Sequence, residues 1–330
     1  MESDPHERTF LQWPVSLKAY DRQSLARVQG SIALIANTIS KYEPVVMLAA
    51  AKHHSAARRQ IGRAVELWDI ATDDLWCRDS GPTFVRNEKG ELAVSHIRFN
   101  GWGNKQSHRN DGQIAPRIAQ RLGLPLLETG LVGEQGGLEH DGEGTVLAHA
   151  SSWVNTNRNR LSKAETGKRL LEAVGGEKMI WAPGLKGEDI TDSHIDTFAR
   201  FVGPGKVLIQ LGDTIDPEDP WSVSGHQTLD ILKSATDAKG RKLEILRLPE
   251  PVDIRSSQPD FVASYVNYYV CNGAVIAAQF GDKAADGQAK EVLQSLYPGR
   301  TIEMLNIDPI GESGGGIHCA TQQQPKGARI

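Results

Sequence analysis

A cysteine stands at the exit of a glycine run: Gly314, Gly315 and Gly316 are followed by Ile317, His318, Cys319, Ala320 and Thr321. Consecutive glycines let a backbone pass close to a ligand and take φ values closed to other residues. A thiol after such a loop, rather than inside an apolar strand, can be exposed and reached as a nucleophile. Asp79 lies between Trp76 and the turn Gly81-Pro82. A carboxylate there suits a planar cation, because a guanidinium is held by two parallel charge-assisted bonds. His194 and Asp196 are two positions apart, so on a strand they share one face, with Ile195 behind. Glu134, just ahead of Gly136 and Gly137, can orient a histidine as a triad requires. Trp13, Phe99 and Trp102 could line an aromatic mouth or simply pack in the core.

Each residue has a plainer reading. Asp79 could be an acidic turn residue before Gly-Pro, and Glu134 part of a charged loop. Cys77 is a rival nucleophile, but a thiol at the end of an apolar-flanked strand is inert. His194, Asp196 and His318 could hold a metal, yet no second His or Cys stands at helical or knuckle spacing. No metal is expected.

Any such site needs elements that bring residues 79 to 319 together. Five segments carry helical periodicity, each followed by a short apolar strand. Leu25, Val28, Ile32, Ile35 and Ile39 lead to a strand at 45–48, and Ile114, Ile118 and Leu122 to one at 124–127. Ser162 reads as an N-cap with Glu165 three residues on, ahead of Leu170, Leu171, Val174 and a strand at 179–181. Leu229, Leu232 and Ala235 lead to 243–248, and Ala289, Val292, Leu293 and Leu296 to 301–305. Strand pairs precede four of these helices: 83–86 with 92–99, 145–149 with 153–154, 197–202 with 207–211, and 265–271 with 274–280 across Asn272-Gly273. The unit is strand, strand, helix, strand, in the manner of a repeat architecture. The first helix lacks its pair, which 9–13 and the tail 318–323 could supply, closing five units into a ring. The loops between units, holding Asp79, Glu134, His194 with Asp196, and Cys319, would then meet near one axis.

Composition sets outer bounds. The chain has 330 residues, 39% apolar and 24% charged, as in a soluble globular protein. A net charge of −4, from 37 basic and 41 acidic residues, argues against nucleic acid or an anionic membrane as partner. The N-terminal stretch is polar and acidic, and no apolar run approaches the ~20 residues that span a bilayer. Three cysteines, Cys77, Cys271 and Cys319, form no CxxC pair, which reads as free thiols in a reducing, cytoplasmic compartment.

Several stretches resemble the agmatine deiminase / bacterial-type peptidyl-arginine deiminase family. They are His6-Glu7-Arg8-Thr9 with Trp13-Pro14, residues 76–84, 134–145, Asn155-Thr156-Asn157-Arg158-Asn159, 189–202 and 314–325. The resemblance covers nearly the whole chain and implies one guanidine-deiminase domain over 1–330. Its fold would be an α/β, five-bladed pseudo-symmetric propeller, the pentein fold of guanidine-modifying enzymes. It implies Cys319 as nucleophile, His194 as general acid/base and Glu134 supporting the histidine. Asp79 and Asp196 would hold the guanidinium, with Trp13, Trp102 and Gly316 around the substrate. No cofactor is implied. The substrate would be a small cationic guanidino compound, agmatine first, giving N-carbamoylputrescine and ammonia in putrescine and polyamine metabolism. Other guanidines, amidino transfer, and guanidine binding without chemistry stand as alternatives, and homo-oligomerisation stays open. The sequence departs from the family at Glu134-Gln135-Gly136-Gly137, where Gln135 replaces a glycine, and at residues 100–105. Both departures bear on the substrate tail.

Overall fold

In the computed structural model, which describes residues 1–327, five separate sheets are built on one plan, and the chain is α/β. The expected single domain of 1–330 reaches three residues beyond those described. In each sheet an antiparallel pair is followed by a helix, which returns the chain to a strand parallel to the second of the pair. Thr83–Arg86 and Leu92–Arg98 are joined by Leu126–Val132 through the helix Ile114–Leu122. Leu138–His140 and Thr145–His149 are joined by Lys178–Ala182 through Lys163–Val174. Ala199–Gly203 and Lys206–Gln210 are joined by Glu244–Leu248 through Pro220–Ser234. Tyr269–Cys271 and Ala274–Ala278 are joined by Thr301–Leu305 through Lys283–Leu296. The remaining sheet takes its first strand from the far end of the sequence. Gln322–Pro325 pairs antiparallel with His6–Gln12, setting Thr9 opposite Gln323, and Val45–Ala49 lies parallel to His6–Gln12 beyond the helix Arg22–Ile39.

Local chemistry explains these elements. Asp21 caps Arg22–Ile39 by accepting from the Ser24 amide, and Val28, Ile32, Ile35 and Ile39 are all buried, as their 3-4 spacing requires. Ser162 caps Lys163–Val174 through the Glu165 amide, and Gly175 ends it at φ 70°. The central strands Val45–Ala49 and Ala274–Ala278 are buried along their whole length, as strands covered on both faces must be. Ala274–Ala278 and one face of Val45–Ala49 (Val45, Met47, Ala49) join the largest apolar cluster, with Leu11, Trp13, Ile32, Trp76 and Tyr268, while Val46 and Leu48 face a second one.

Four local expectations are corrected. The partner of Thr145–His149 is Leu138–His140, while residues 150–153 form a helical turn, because Ala150-Ser151-Ser152 has no apolar alternation to make a strand. The first sheet has a fourth strand, Val65–Asp69, reached through the helix Ala51–Arg58, whose only buried residue is Ala57 and which therefore shows no apolar stripe. His194 and Asp196 are not on a strand: Ile195–Thr197 is one 3-10 turn preceding Ala199–Gly203. Cys77 lies in the helical turn Cys77–Ser80, not at a strand end. No helix among the described residues is long and apolar enough to cross a membrane.

Candidate active site

The stretches that link one sheet to the next are residues 70–82, 133–137, 183–198, 249–268 and 306–321. They carry Asp79, then Glu134 and Gly136, then His194 and Asp196, then Asn267, then His318 and Cys319. All five stretches therefore contribute to one cluster, with Asn267 in the one for which the sequence offered no candidate.

Gly136 lies at the middle of the cluster. A Cβ there would stand 2.8 Å from Asp79 Oδ1, 2.8 Å from His194 Nδ1 and 3.2 Å from Asp196 Oδ2. The three groups thus face one small space, which exists because residue 136 has no side chain. Cys319 Sγ borders it, 3.5 Å from Asp196 Oδ2. The His194 ring lies between two carboxylates, with Nε2 3.2 Å from Glu134 Oε2 and Nδ1 3.7 Å from Asp79 Oδ1.

Each group is held from behind. Asp79 Oδ2 accepts from Trp102 Nε1 at 2.9 Å, and Oδ1 from the Gly136 amide at 3.3 Å. Trp102 is delivered by a run of left-handed residues, Gly101, Trp102, Gly103 and Asn104, at φ 66°, 54°, 81° and 64°. A non-glycine residue in that region costs roughly 1–3 kcal/mol, so its surroundings must enforce it. Here Asn100 Oδ1 accepts from the Gly103 amide at 2.8 Å, and Lys105 Nζ reaches Asp192 Oδ2 at 2.9 Å. Asp192 and Ser193, directly before His194, are also left-handed, at φ 59° and 70°. Arg158 braces that loop and Glu134 together. Its Nε meets Glu134 Oε2 at 2.8 Å, its Nη1 meets Asp192 Oδ2 at 2.7 Å, and its Nη2 donates to the Thr191 carbonyl at 2.9 Å.

Asn267 clamps the turn that carries Cys319, Ile317–Ala320. Its Nδ2 lies 3.1 Å from Cys319 Sγ and 3.2 Å from the Asp196 carbonyl, while its Oδ1 accepts from the Cys319 amide at 3.2 Å. This is why residue 316 is glycine: a Cβ there would come within 2.5 Å of Asn267 Oδ1.

The electrostatics follow from crowding carboxylates in a dry space. Burial, reinforced by Glu134 and Asp196, pushes Asp79 up to about 6. Burial opposes the charge on His194, but Asp79, Glu134 and Asp196 outweigh it and raise the imidazole to about 9. Burial, then Asp196 and Asp79, hold the Cys319 thiol well above its usual range. The expectation of an exposed thiolate is thus corrected: Cys319 is 6% exposed and its surroundings favour the thiol. Burial alone would raise Asp196, but His318 Nδ1, 2.7 Å from its Oδ2, holds it below the ordinary range. The other oxygen, Oδ1, is buried and has no hydrogen-bond partner among the described residues.

A cysteine, a histidine and two carboxylates converging on one point form a site for a planar cation under attack by sulfur. Comparisons with known proteins agree. Residues 1–325 match the family model of the Porphyromonas-type peptidyl-arginine deiminases. A putative agmatine deiminase of Streptomyces coelicolor is 37% identical over 98% of this chain and 97% of its own. The chain belongs to the Porphyromonas-type peptidyl-arginine deiminase family. Within that family, an agmatine deiminase of Pseudomonas aeruginosa is 35% identical, over 98% of this chain and 94% of its own. A solved structure, the agmatine deiminase of Enterococcus faecalis catalysing its reaction, superposes with a TM-score of 0.91 at 28% identity, covering 98% of this chain and 94% of that one.

Against the sequence expectations for such a deiminase, Asp79, Glu134, His194, Asp196 and Cys319 all lie in the cluster. Gly316 lies beside it, shaping the turn that carries Cys319. Trp102 is there as a hydrogen-bond donor to Asp79, rather than as a rim aromatic. Trp13 is 1% exposed and packs in the main core, so its place is structural. Asn267 and the bracing role of Arg158 were missed, and His318, weighed only as a metal ligand beside His194 and Asp196, is instead the hydrogen-bond partner of Asp196. Their partners stand 24 to 122 positions away, and no local spacing signals such pairs. Among the described residues no group of three or more His, Cys, Asp and Glu is arranged to hold a metal.

Proposed function

We propose that this chain hydrolyses agmatine to N-carbamoylputrescine and ammonia through a covalent intermediate on Cys319. The observation that carries the reading is the convergence of Asp79, His194, Asp196 and Cys319 on the space above Gly136. The guanidinium lies in that space, donating to Asp79 and to Asp196. Two carboxylates fix its plane, and attack by the adjacent sulfur becomes effectively intramolecular. The cation also cancels the negative charge that disfavours a thiolate, so Cys319 loses its proton to solvent as substrate binds. The thiolate attacks the guanidinium carbon. His194, charged at neutral pH, protonates the departing nitrogen, and ammonia leaves. The imidazole, now neutral, takes a proton from water as the water attacks the amidino-thioether carbon. Collapse expels the sulfur, which takes back the hydroxyl proton as a thiol, and gives the urea product with His194 recharged.

The tail of the substrate is argued from the arginines. A substrate carboxylate, as in free arginine, calls for a guanidinium clamp, and the sequence offered Arg78 and Arg158. Arg158 is engaged by Glu134, Asp192 and the Thr191 carbonyl. Arg78 is engaged by Glu2, Gln323 and the His318 carbonyl. Neither is free, which favours a tail without a carboxylate. The relatives' names support agmatine. The same reading takes the five sheets as blades of one pentein propeller over 1–330, closed by Gln322–Pro325 against His6–Gln12. It puts the enzyme in the cytoplasm, where free thiols persist, making a ureido compound whose hydrolysis yields putrescine.

The test is ammonia release from agmatine, arginine, guanidinobutyrate, methylguanidine and a peptide with internal arginine at equal concentration. Agmatine should have the highest kcat/KM, and Cys319→Ser should abolish release while Cys77→Ser retains it. Arginine or the peptide turning over as well as agmatine would remove the substrate assignment. Full activity in Cys319→Ser would remove the mechanism.

A further inference from the structure

His318 stands directly before the nucleophile, yet the reaction above gives it no step. Both of its ring nitrogens face carboxylates: Nδ1 is 2.7 Å from Asp196 Oδ2, and Nε2 is 3.0 Å from Glu2 Oε2. A carboxylate only accepts, so both nitrogens carry a proton when both bonds are made. His318 therefore bridges the guanidinium-facing carboxylate and a residue at the far end of the sequence.

Glu2 is itself fully engaged. Its Oε2 also accepts from Arg78 Nη2 at 2.9 Å. Its Oε1 meets Arg200 Nη2 at 3.0 Å and the Val270 amide at 2.8 Å. Burial would raise its carboxyl, but Arg200, His318 and Arg78 hold it well below the ordinary range. The other carboxylate near His318 Nε2 is Glu139, at 4.0 Å, which is taken by Arg200 Nε at 2.9 Å. A carboxylate at position 2 with four donors on its two oxygens does more than anchor a terminus, because one of those donors is the tether of Asp196.

We propose that Glu2 is a positioning residue of the guanidinium site, acting through His318 to hold Asp196 Oδ2 where it faces the space above Gly136. The proposal rests on the reading of the site as a guanidine deiminase. An amide at position 2 cannot do the same: its NH2 must oppose either Arg78 with His318, or Arg200 with the Val270 amide, donor against donor. With the bridge loosened, Asp196 can rotate and the guanidinium loses one of its two paired acceptors.

The experiment is a double-mutant cycle on agmatine binding in full-length Cys319→Ala protein, read by calorimetry, with thermal melting alongside. Glu2→Gln should weaken binding by about tenfold, the scale of one charge-assisted hydrogen bond. Added to Asp196→Asn it should weaken binding less than twofold further, because the carboxylate it positions is gone. Full additivity with Asp196→Asn, or an unchanged Kd in Glu2→Gln, overturns the proposal; a purely structural residue would lower the melting temperature and leave the coupling at zero. If Glu2→Gln does not fold, His318→Gln enters the same cycle and is judged by the same two outcomes. Failure of the Cys319→Ala parent to bind agmatine or any guanidine would instead sink the deiminase reading.

Discussion

The most direct probe of the site is a single methyl group at Gly136. Its backbone is not left-handed, so alanine introduces no φ strain, and the effect must come from the space it fills. The new Cβ would stand 2.8 Å from Asp79 Oδ1 and from His194 Nδ1, where ordinary contact begins at 3.4 Å. Each group must then recede by about 0.6 Å, and the Cβ itself occupies the place of the guanidinium. Trp102 behind Asp79 and Glu134 behind His194 leave little room to recede. Misplacement approaching 1 Å at reacting groups costs about a hundredfold, so kcat/KM for agmatine should fall by at least that, about 2.7 kcal/mol of transition-state stabilisation. The assay is steady-state ammonia release, paired with thermal melting and with Gln135→Gly as a neighbouring control. Gln135 makes only a long 3.5 Å contact with Thr83 Oγ1, so its removal should change kcat/KM less than about threefold. Gly136→Ala enzyme that melts normally and stays within threefold of the parent would refute the convergence argument.

Three further outcomes follow from the same geometry. Against pH, kcat/KM should rise as Asp79 loses its proton through about 6, since a neutral carboxyl cannot pair with a cation. It should keep rising while Cys319 must shed a proton to attack, and level off where His194 loses its own through about 9, since a neutral imidazole cannot protonate the leaving nitrogen; a flat profile from about pH 5 to about pH 10 would contradict both assignments. Arg158→Met removes the buried guanidinium that Glu134 and Asp192 share, leaving Asp192 only Lys105 as a cation; at about 3–5 kcal/mol for a broken buried pair, melting should fall by roughly 4–7 °C, with turnover reduced and Arg158→Lys only partly restoring it. Deleting residues 1–14 removes the strand between Gln322–Pro325 and Val45–Ala49, so both lose a partner; calorimetry should show the whole molecule destabilised, and a variant melting like the parent would argue against closure.

What was legible in the sequence, and what was not, divides by the range of the interactions. The helices that bury a stripe announced themselves, because Ile32, Ile35 and Ile39 must repeat at helical spacing to reach the core. The helix Ala51–Arg58, with Ala57 alone buried, had no such obligation and was missed. The hairpin at Asn272-Gly273 was readable from its turn, whereas Leu138-Glu139-His140 is too short and polar to alternate. The site residues were found by type and loop position, and His194 with Asp196 converged even though the strand supposed to align them is a 3-10 turn. The residues that aim them were hidden. Asn267 means nothing until it is placed beside Cys319, nor Trp102 until its indole meets Asp79.

The pairing of Gln322–Pro325 with His6–Gln12 also sets a timetable. The first strand leaves the ribosome early and must wait for nearly the whole chain before its antiparallel partner exists. Cys319 emerges with that late strand, after Asp79, Glu134 and His194 have all been synthesised. No nascent chain can therefore own a complete site, and the clustered carboxylates face their longest period of uncompensated repulsion before the last segment brings His318 to Asp196. Contacts spanning some 300 positions make for slow final closure. Premature release near residue 310 would yield a protein with most of its sheets formed and no chemistry, the expected signature of a stalled translation product.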